Sequence, residues 1–329
     1  MKPPRFWYRR PGIAARSLAP LGALYAIGTA RRIAKADPWR APVPVISVGN
    51  VNAGGTGKTP VVCWLMERLT ARGRTPHVVT RGYGGTVEGP HRVSDRDSAG
   101  DVGDEALLLA AFGPVWVSRD RVAGARAAIE AGADCIVLDD AHQNPGLRKD
   151  LSIIVVDAKI GFGNGFCIPA GPLREPVSRA LSRAGHVVLL RGDEAVADAD
   201  LPDFGPIPVH EARLLPLMTG MPWNGLRVVA FAGIGRPEKF FATLRSVGAR
   251  IVAAHPFDDH QPYSRAVLDR LMKEAKAARA QLVATEKDAV RLPPAMRREV
   301  LTLPVRVHFD DATALDAALE GLATGEPGS

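Results

Sequence analysis

The chain has 329 residues, of which 46% are hydrophobic and 23% are charged, with a net charge of +7. At about 100–200 residues per domain this length corresponds to two domains or one large one, and the composition excludes a disordered chain and a polytopic membrane protein. The three cysteines, Cys63, Cys135 and Cys167, are too few and too scattered for a disulfide framework or a zinc site, which indicates a reducing compartment.

The positive charge is concentrated at the N-terminus. Residues 1–40 hold nine basic side chains and one acidic side chain, a net +8, so residues 41–329 have a net charge of −1. A nucleic-acid-binding protein would carry its Lys and Arg on the folded domain. We therefore expect no nucleic-acid partner.

Residues 1–40 have the features of an arm that lies on a membrane surface. The apolar stretch 13–30 contains Arg16 and Pro20 and is shorter than the ~20 mostly apolar residues that a membrane-spanning helix requires. The aromatic residues 6–8 stand beside two arginines, a combination typical of headgroup depth, where each basic residue contributes about 1 kcal/mol near anionic lipids. We predict a basic amphipathic arm that docks on anionic lipids; the alternatives are a helix packed on the body and a secretory signal.

A phosphate-binding loop follows the arm. Residues 44–48 (PVISV) are a β-rich apolar run, residues 49–59 (GNVNAGGTGKT) are glycine-rich, and residues 60–69 have the apolar spacing of a helix. In this order they form the context in which backbone N–H groups and a helix N-terminus hold phosphates. The predicted nucleotide-binding residues are Asn52, Ala53, Gly54, Gly55, Thr56, Gly57, Lys58, Thr59 and Pro60.

Three positions of this loop, Asn52, Lys58 and Thr59, differ in what they are expected to do. Lys58 can reach the β- and γ-phosphates, which makes it a catalytic candidate, and the Thr59 hydroxyl can ligate Mg²⁺. The strict pattern has glycine where this chain has Asn52. Asparagine tolerates a positive φ better than most residues, so we expect the loop to keep its shape.

Strand and helix patterns alternate beyond the loop. Strand patterns at 76–80 and 115–117 alternate with helix patterns from about Asp104 and at 122–131. This alternation predicts an α/β fold, a parallel sheet flanked by helices as in phosphate-binding-loop (P-loop) nucleoside triphosphatases.

Two aspartates end the next predicted strand. The apolar run 135–138 leads into Asp139 and Asp140. The C-terminal ends of strands in such sheets hold Mg²⁺ or its waters, so we predict that both aspartates ligate the metal. The alternative is that they cap a turn.

A proline-rich segment separates two parts of the chain. Residues 201–225 contain five prolines and are interpreted as an extended linker or an edge pair of strands. A second alternating series follows, with strand patterns at 226–231, 281–284 and 305–309 and a helix pattern at 264–279. We therefore predict a kinase lobe over 41–200, a linker over 201–225 and a smaller α/β lobe over 226–329, with a nucleotide cleft between the lobes.

From Arg5 to Asp311 the sequence resembles the tetraacyldisaccharide 4′-kinase family of lipid A biosynthesis. The phosphate-binding loop alone would indicate only a nucleoside triphosphatase, whereas the ordered set of motifs is specific. The motifs are 49–60 (GNVNAGGTGKTP), 80–85 (TRGYGG), 102–105 (VGDE), 138–140 (LDD), 163–165 (GNG), 169–176 (PAGPLREP), 232–239 (AGIGRPEK), 257–261 (FDDHQ) and 285–288 (TEKD).

The resemblance implies an ATP-dependent kinase that phosphorylates the 4′-hydroxyl of an acylated glucosamine disaccharide 1-phosphate, with ATP and Mg²⁺ as cofactors. It also implies a peripheral enzyme on the cytoplasmic face of the bacterial inner membrane. Asp104 falls on the family's catalytic aspartate and His260 on the histidine that works with it. Arg174 and Glu175 fall in a stretch expected near the phosphates and the metal, as a substrate contact and a metal ligand respectively.

The non-catalytic alternatives for this pair are that Asp104 caps a helix and that His260 is a hydrogen-bonded loop histidine. Arg81, Tyr83 and Arg121 are predicted substrate contacts, because an anionic lipid head requires Arg forks and a hydroxyl donor. The alternative for Arg121 is an ordinary surface arginine.

One motif departs from the family pattern. The family follows its aspartate pair with glycine, a bulky apolar residue and glutamine, whereas residues 141–143 here are Ala-His-Gln. Alanine in place of glycine can shift the local turn around Asp140. His142 is assigned no catalytic role, because a lone histidine is more often packed or exposed than functional.

Two other classes of protein remain as alternatives. A membrane-associated switch ATPase or GTPase is the first, because residues 285–288 (TEKD) partly match a guanine-reading Asn-Lys-x-Asp loop, with the lysine one place late. A membrane-bound scaffold that holds nucleotide without turnover is the second.

Overall fold

The computed structural model describes residues 3–192, 196–197 and 200–323. The N-terminal arm contains a 3₁₀ helix, Arg5–Tyr8, and helix α1, Ile13–Ala34. Within these residues the body contains two sheets, one of nine strands and one of four.

The nine-stranded sheet has the strand order β13-β8-β7-β6-β1-β5-β2-β4-β3. Its strands are β1 (Val45–Gly49), β2 (Pro76–Thr80), β3 (His91–Arg92), β4 (Val115–Val117), β5 (Cys135–Asp139), β6 (Leu151–Asp157), β7 (His186–Arg191), β8 (Val209–Pro216) and β13 (Val305–Phe309). All neighbours pair in parallel except β3 with β4 and β8 with β13. The helices connected to this sheet are α2 (Lys58–Ala71), α3 (Ala99–Val102), α4 (Asp104–Leu109), α5 (Arg121–Glu130), α6 (Val177–Leu181) and α11 (Thr313–Ala323).

Helices cover both faces of this sheet. Strands β1, β2, β5 and β6 are buried at every position, which is why their sequences are continuous apolar runs rather than alternating ones. Helix α2 packs large side chains such as Leu65 and Met66 on one face, whereas α5 packs small ones, Ala125 and Ala128, on the other. The alternation of strands and helices therefore produced the predicted α/β sheet.

The four-stranded sheet has the order β10-β9-β11-β12 and is wholly parallel. Its strands are β9 (Arg227–Ala232), β10 (Arg250–Pro256), β11 (Gln281–Ala284) and β12 (Val300–Thr302), and its helices are α7 (Pro237–Ser246), α8 (Arg265–Ala277), α9 (Glu286–Ala289) and α10 (Pro294–Arg297). Alternate residues of β9 pack on α7 and on α8, so this lobe has a core on each face of its sheet.

The two segments that connect the lobes, before and after the four-stranded sheet, differ from the sequence expectation. Strand β8 lies inside the proline-rich segment 201–225 and pairs with β13, so this part of the segment is the edge pair rather than a free linker. Strand β13 was expected in the second series but extends the first sheet. The reason is packing: the Phe309 ring lies 4.5 Å from the Trp64 ring of α2, and Leu315 and Leu319 of α11 join the same core.

The arm packs on the body through small residues. Ala15, Gly22 and Thr29 are the buried residues of α1, and a Cβ added to Gly22 would lie 2.7 Å from the Cys167 carbonyl oxygen. The Trp7 indole N–H donates to the Pro169 carbonyl at 3.0 Å. Five large apolar side chains of α1 are exposed instead: Ile13, Leu21, Leu24, Tyr25 and Ile27. Within the described ranges no helix is long and apolar enough to cross a membrane.

Candidate active site

The site lies where β1, β5 and β2, which are neighbours in the large sheet, reach their C-terminal ends. The loop that follows β1 leads into α2, and β5 ends at Asp139. In parallel α/β sheets this edge is where ligands bind. The order of the strands therefore brings the predicted phosphate loop and the predicted acidic pair together.

The loop between β1 and α2 has the backbone of a phosphate cradle. Gly54 and Gly57 have φ values of 113° and 88°, and a Cβ on Gly57 would lie 2.4 Å from the Leu190 side chain. Helix α2 begins at Lys58, so its free N–H groups and positive end lie at the loop. The buried Thr56 hydroxyl has no hydrogen-bond partner in the described residues. These features fit a loop that wraps an anion.

Asn52 serves a different purpose from the one expected. Its φ is not positive; instead it pairs with Leu173 in an isolated antiparallel bridge. Its side-chain amide donates to the Gly161 carbonyl at 3.0 Å, and the neighbouring Ala53 N–H donates to the Pro172 carbonyl at 2.7 Å. Asparagine therefore ties the start of the loop to the segment that precedes Arg174.

The two strand-end aspartates have opposite electrostatic environments. Asp140 has a left-handed φ of 51°, and its carboxylate accepts from Arg174 Nη1 at 2.9 and 3.0 Å and lies 3.4 Å from Lys58 Nζ. Burial works to raise the pKa of Asp140, but the charges of Lys58 and Arg174 lower it overall. In Asp139, by contrast, burial and the nearby Glu105 carboxylate raise the pKa to about 7.

Asp139 has a free oxygen, and this bears on the metal. Its Oδ2 accepts from the Thr80 hydroxyl at 3.1 Å, while its buried Oδ1 has no partner among the described residues. A buried carboxylate with an unsatisfied oxygen and a raised pKa is stabilised by a cation. The oxygen donors of Thr59, Asp139 and Asp140 thus fit a hard ion such as Mg²⁺.

Glu175 differs from its predicted role as a metal ligand. It is buried, accepts from Arg183 Nη2 at 2.7 Å through both oxygens, and accepts from the Gln143 amide at 3.1 Å. Across residues 3–192, 196–197 and 200–323 there is no group of three or more His, Cys, Asp or Glu side chains that could hold a metal. Arg183 neutralises the charge of Glu175. Through Gln143, which also donates to the Asn50 carbonyl at 2.9 Å, Glu175 supports the base of the loop.

Arg121 is neither a surface arginine nor an exposed contact. It is 5% exposed, and it donates to the Ser118 carbonyl at 2.7 Å and to the Asp139 carbonyl at 3.4 Å. Its guanidinium therefore lies beneath the strand ends, beside the acidic pair. Arg81 and Tyr83 are exposed, and the Tyr83 ring lies 5.5 Å from the His260 ring, edge to face.

Asp104 and His260 meet across the two lobes. His260 Nδ1 lies 2.9 and 3.1 Å from the two Asp104 oxygens, although 156 positions separate the residues. Asp104 is the first residue of α4, and His260, with a φ of 59°, follows β10. Burial works to raise the pKa of Asp104, but the His260 hydrogen bond and the charges of Lys287 and Arg291 lower it overall.

Residues in and just after the TEKD segment, 285–288, contact the catalytic pair and its neighbours, although no role at the site was predicted for them. Lys287 Nζ lies 3.1 Å from Glu105 Oε1, and Arg291 Nε lies 3.5 Å from Asp104 Oδ2. Asp288 is fully buried, where it accepts from the Gly233 N–H at 2.9 Å.

The Tyr263 hydroxyl donates to the same Asp288 carboxylate at 2.5 Å, and the Thr285 hydroxyl donates at 2.6 Å. A carboxylate engaged in this way is not available to read a guanine base. The TEKD segment was one of the motifs that resemble the family, but its partial match to a guanine-reading loop suggested a different role for these residues.

His142 is a packed residue. Its Nδ1 lies 3.1 Å from the Ser152 hydroxyl and its Nε2 lies 3.0 Å from the Ala180 carbonyl oxygen, deep below the loop. A Cβ on Gly49 would lie 2.5 Å from the His142 Cβ and 3.0 Å from its backbone nitrogen, so glycine at the end of β1 allows the chain at position 142 to approach closely.

The fold and the site define a phosphate-binding-loop enzyme of the α/β class, with a carboxylate–imidazole pair formed between its two lobes. Comparison with known proteins identifies the family. Residues 14–324 match the family model described as tetraacyldisaccharide-1-P 4′-kinase.

Similar sequences of known proteins point to the same family as this family model. The chain is 58% identical to a tetraacyldisaccharide 4′-kinase of Dinoroseobacter shibae, with 98% of each chain covered. It is 55% identical to that of a Jannaschia species, with 97% of this chain and 98% of the relative covered. A crystal structure described as an "apo" form of LpxK from Aquifex aeolicus in complex with ATP has a TM-score of 0.76 at 24% identity, covering 94% of this chain and 99% of that one, which supports the same fold. The chain belongs to the tetraacyldisaccharide-1-P 4′-kinase family.

Proposed function

We propose that this chain transfers the γ-phosphate of ATP to the 4′-hydroxyl of a tetraacyldisaccharide 1-phosphate, a step of lipid A biosynthesis. Family membership supports the reaction. The observation that carries the mechanism is the Asp104–His260 pair, which closes at 2.9 Å between the lobes. Neither a nucleotide switch nor a scaffold requires such a pair.

The pair supplies the base. A sugar hydroxyl is a poor nucleophile at neutral pH, so a side chain must accept its proton as the new O–P bond forms and the bond between the γ-phosphorus and the β-phosphate oxygen breaks. The lowered pKa of Asp104 keeps it ionised at neutral pH. His260 orients the carboxylate through Nδ1.

The loop and the residues next to it neutralise the negative charge of the phosphates. The backbone N–H groups of the loop, the N-terminus of α2 and Lys58 stabilise the transferring group. Thr59, Asp139 and Asp140 would hold Mg²⁺, which supplies neutralisation of the phosphate oxygens. Arg174 donates to Asp140 at 2.9 Å, which holds that carboxylate in place, and in this proposal its guanidinium also contacts substrate phosphate.

The acceptor lies between the lobes in this proposal. Tyr83 is 68% exposed beside His260, so its ring and hydroxyl can contact the sugar at the reacting position. Arg81 on the same loop offers a charged fork to an anionic head group. The buried Arg121 does not contact the acceptor but positions Asp139, by donating to its main-chain carbonyl.

The arm brings the enzyme to its substrate at the cytoplasmic face of the inner membrane. Its exposed face carries large apolar side chains on α1, and Arg31, Arg32 and Lys35 lie exposed near the C-terminal end of the helix. An interfacial helix of this kind binds by apolar burial and by attraction to anionic lipids.

Flotation with vesicles tests the arm in the full-length chain. Leu21→Ser with Leu24→Ser should reduce co-flotation with phosphatidylglycerol vesicles, because both side chains are more than half exposed on α1. Met218→Ser, an exposed apolar residue outside the arm, is the matched control. Equal flotation of the double variant and the control would contradict the membrane role.

A transfer assay tests the reaction itself. Labelled γ-phosphate should pass from ATP to a tetraacyldisaccharide 1-phosphate in mixed micelles, only with Mg²⁺, and the transfer should be lost in Lys58→Ala and Asp104→Ala. Nucleotide hydrolysis without lipid labelling, unaffected by Asp104→Ala, would instead indicate a switch ATPase.

A further inference from the structure

Each ring nitrogen of His260 faces a different charged partner. On one side, Nδ1 lies 2.9 Å from an oxygen of Asp104. On the other, Nε2 lies 3.4 Å from the Nζ of Lys287, which also reaches Glu105 Oε1 at 3.1 Å. The imidazole is therefore bracketed by a carboxylate and an ammonium group.

These partners specify where the ring proton lies. An ionised carboxylate can only accept a hydrogen bond, and an ammonium group can only donate one. A ring that satisfies both must carry its proton on Nδ1 and present a lone pair at Nε2. We propose that Lys287 is a positioning residue that holds His260 as the neutral Nδ1–H tautomer, which leaves Asp104 as the group that takes the proton of the acceptor hydroxyl. This inference rests on the proposed role of the Asp104–His260 pair.

The other charges around the ring do not reverse this assignment. Asp259 Oδ1 lies 3.7 Å from Nε2 and would favour a proton there, but it is farther than Lys287 and is itself 3.9 Å from the Lys287 ammonium. Arg291 lies on the Asp104 side, 3.5 Å from its Oδ2. Burial works to lower the pKa of Lys287, yet Glu105, Asp104 and Asp259 raise it overall, so Lys287 stays charged.

The short helix α9 fixes the position of Lys287 from both sides. Glu286, before it, accepts from Arg306 Nη1 at 2.9 Å. Asp288, after it, is fully buried and held by Gly233 and Thr285. Lys287 is thus presented to His260 by backbone that is anchored in both the small lobe and the edge strand β13.

The assignment determines the path of the proton. The acceptor oxygen forms its bond to the γ-phosphorus, the bond to the β-phosphate oxygen breaks, and ADP leaves. The hydroxyl proton goes to an Asp104 oxygen. His260 keeps its own proton on Nδ1 throughout, because its Nε2 lone pair is engaged by Lys287 and cannot relay a proton.

Long-range ¹H–¹⁵N NMR of the full-length protein labelled with ¹⁵N-histidine, without nucleotide, tests the tautomer. His260 signals are assigned by their loss in His260→Gln. The wild-type ring should show a protonated Nδ1 and an unprotonated Nε2. Lys287→Met should move His260 to the Nε2–H tautomer or to the imidazolium, and Lys287→Arg should restore the wild-type pattern. A wild-type His260 protonated at Nε2, or a Lys287→Met ring identical to wild type, would overturn the proposal.

Lys239→Met is the matched control. Lys239 also joins the lobes by an ion pair, 3.1 Å from Asp157 Oδ2, but within the described part of the chain it forms no hydrogen bond or ion pair with His260. Its loss should leave the His260 tautomer unchanged, which separates a specific effect of Lys287 from a general loosening of the lobes. A tautomer change of equal size in Lys239→Met would count against a specific role.

Kinetics provide a second readout. General-base catalysis contributes about 10²–10⁴-fold, so loss of its orientation in Lys287→Met should lower kcat by about tenfold or more while the KM for ATP stays within twofold. Lys287→Arg should recover most of kcat. If Asp104→Asn and His260→Gln both keep full activity, the proposed function of the pair fails, whereas the tautomer result stands or falls by NMR alone.

Discussion

The buried His142 imidazole should make the stability of this protein depend on pH. It is 2% exposed; its Nε2 lies 3.0 Å from the Ala180 carbonyl oxygen, which can only accept, so Nε2 carries the proton. Nδ1 then accepts from the Ser152 hydroxyl at 3.1 Å, and both nitrogens of the neutral ring are used. Burial, with the charges of Arg183 and Lys149, lowers the pKa of His142 to about 3.

The magnitude follows from the difference between the folded and unfolded pKa. An unfolded histidine titrates near pH 6.5, so below that pH the unfolded chain binds a proton that the folded chain does not. The free energy of unfolding should therefore fall as pH falls, by about 1.4 kcal/mol per pH unit once well below 6.5. Between pH 7 and pH 5 His142 accounts for a loss of about 2 kcal/mol.

Urea unfolding at pH 7 and pH 5 measures this contribution. His142→Leu should cost about 1–3 kcal/mol at pH 7, because it leaves the Ala180 carbonyl and the Ser152 hydroxyl unpaired. On going to pH 5, however, the variant should lose about 2 kcal/mol less than wild type. His186 and His210, whose pKa values are lowered by burial, titrate in both proteins and cancel in the comparison.

Ser152→Ala is the control, since it removes one of the two hydrogen bonds of His142 and keeps the titrating ring. It should lower the free energy of unfolding at both pH values and retain the wild-type pH dependence. If His142→Leu and wild type lose the same free energy between pH 7 and pH 5, the assignment of a buried neutral imidazole is refuted.

Three further predictions concern the loop, its support and the core. Lys58→Ala should lower kcat more than His260→Ala at saturating ATP and lipid, because phosphate charge stabilisation outweighs base orientation; equal losses would contradict this ranking. Arg183→Met should destabilise by about 3–5 kcal/mol, since it leaves Glu175 buried and unpaired, and adding Glu175→Met should recover most of that in denaturant unfolding; no recovery would argue against the pair. Burial raises the pKa of the Cys63 thiol to about 12, so Cys63 should resist thiol labelling at pH 8 until the protein is unfolded, as a comparison with the thiols freed in urea would show.

Local patterns determined the nucleotide half of the site. The phosphate-binding loop is continuous in the chain, and its glycines, Lys58 and Thr59 act through the backbone of one strand, one turn and one helix. The apolar runs of β1 and β5 are buried on both faces, so they were visible as runs, and parallel pairing then places Asp139 beside the loop. These features depend on spacing along the sequence, which is why they could be predicted.

Tertiary structure decided the rest. Asp104 and His260 meet over 156 positions, and only the family resemblance, not any local pattern, suggested that they would. The sequence could not place Lys287 at Nε2 of His260, because that contact needs both lobes in position.

Glu175 shows the same limit. The family resemblance suggested a metal ligand, but its charge is neutralised by Arg183, eight residues away around a turn and a short helix. Strand β13 likewise joined the large sheet because Phe309 found the core beside Trp64. A charged or apolar side chain pairs with whichever residue the tertiary fold brings next to it. Spacing along the sequence beyond a single helix or strand does not determine which residue that is.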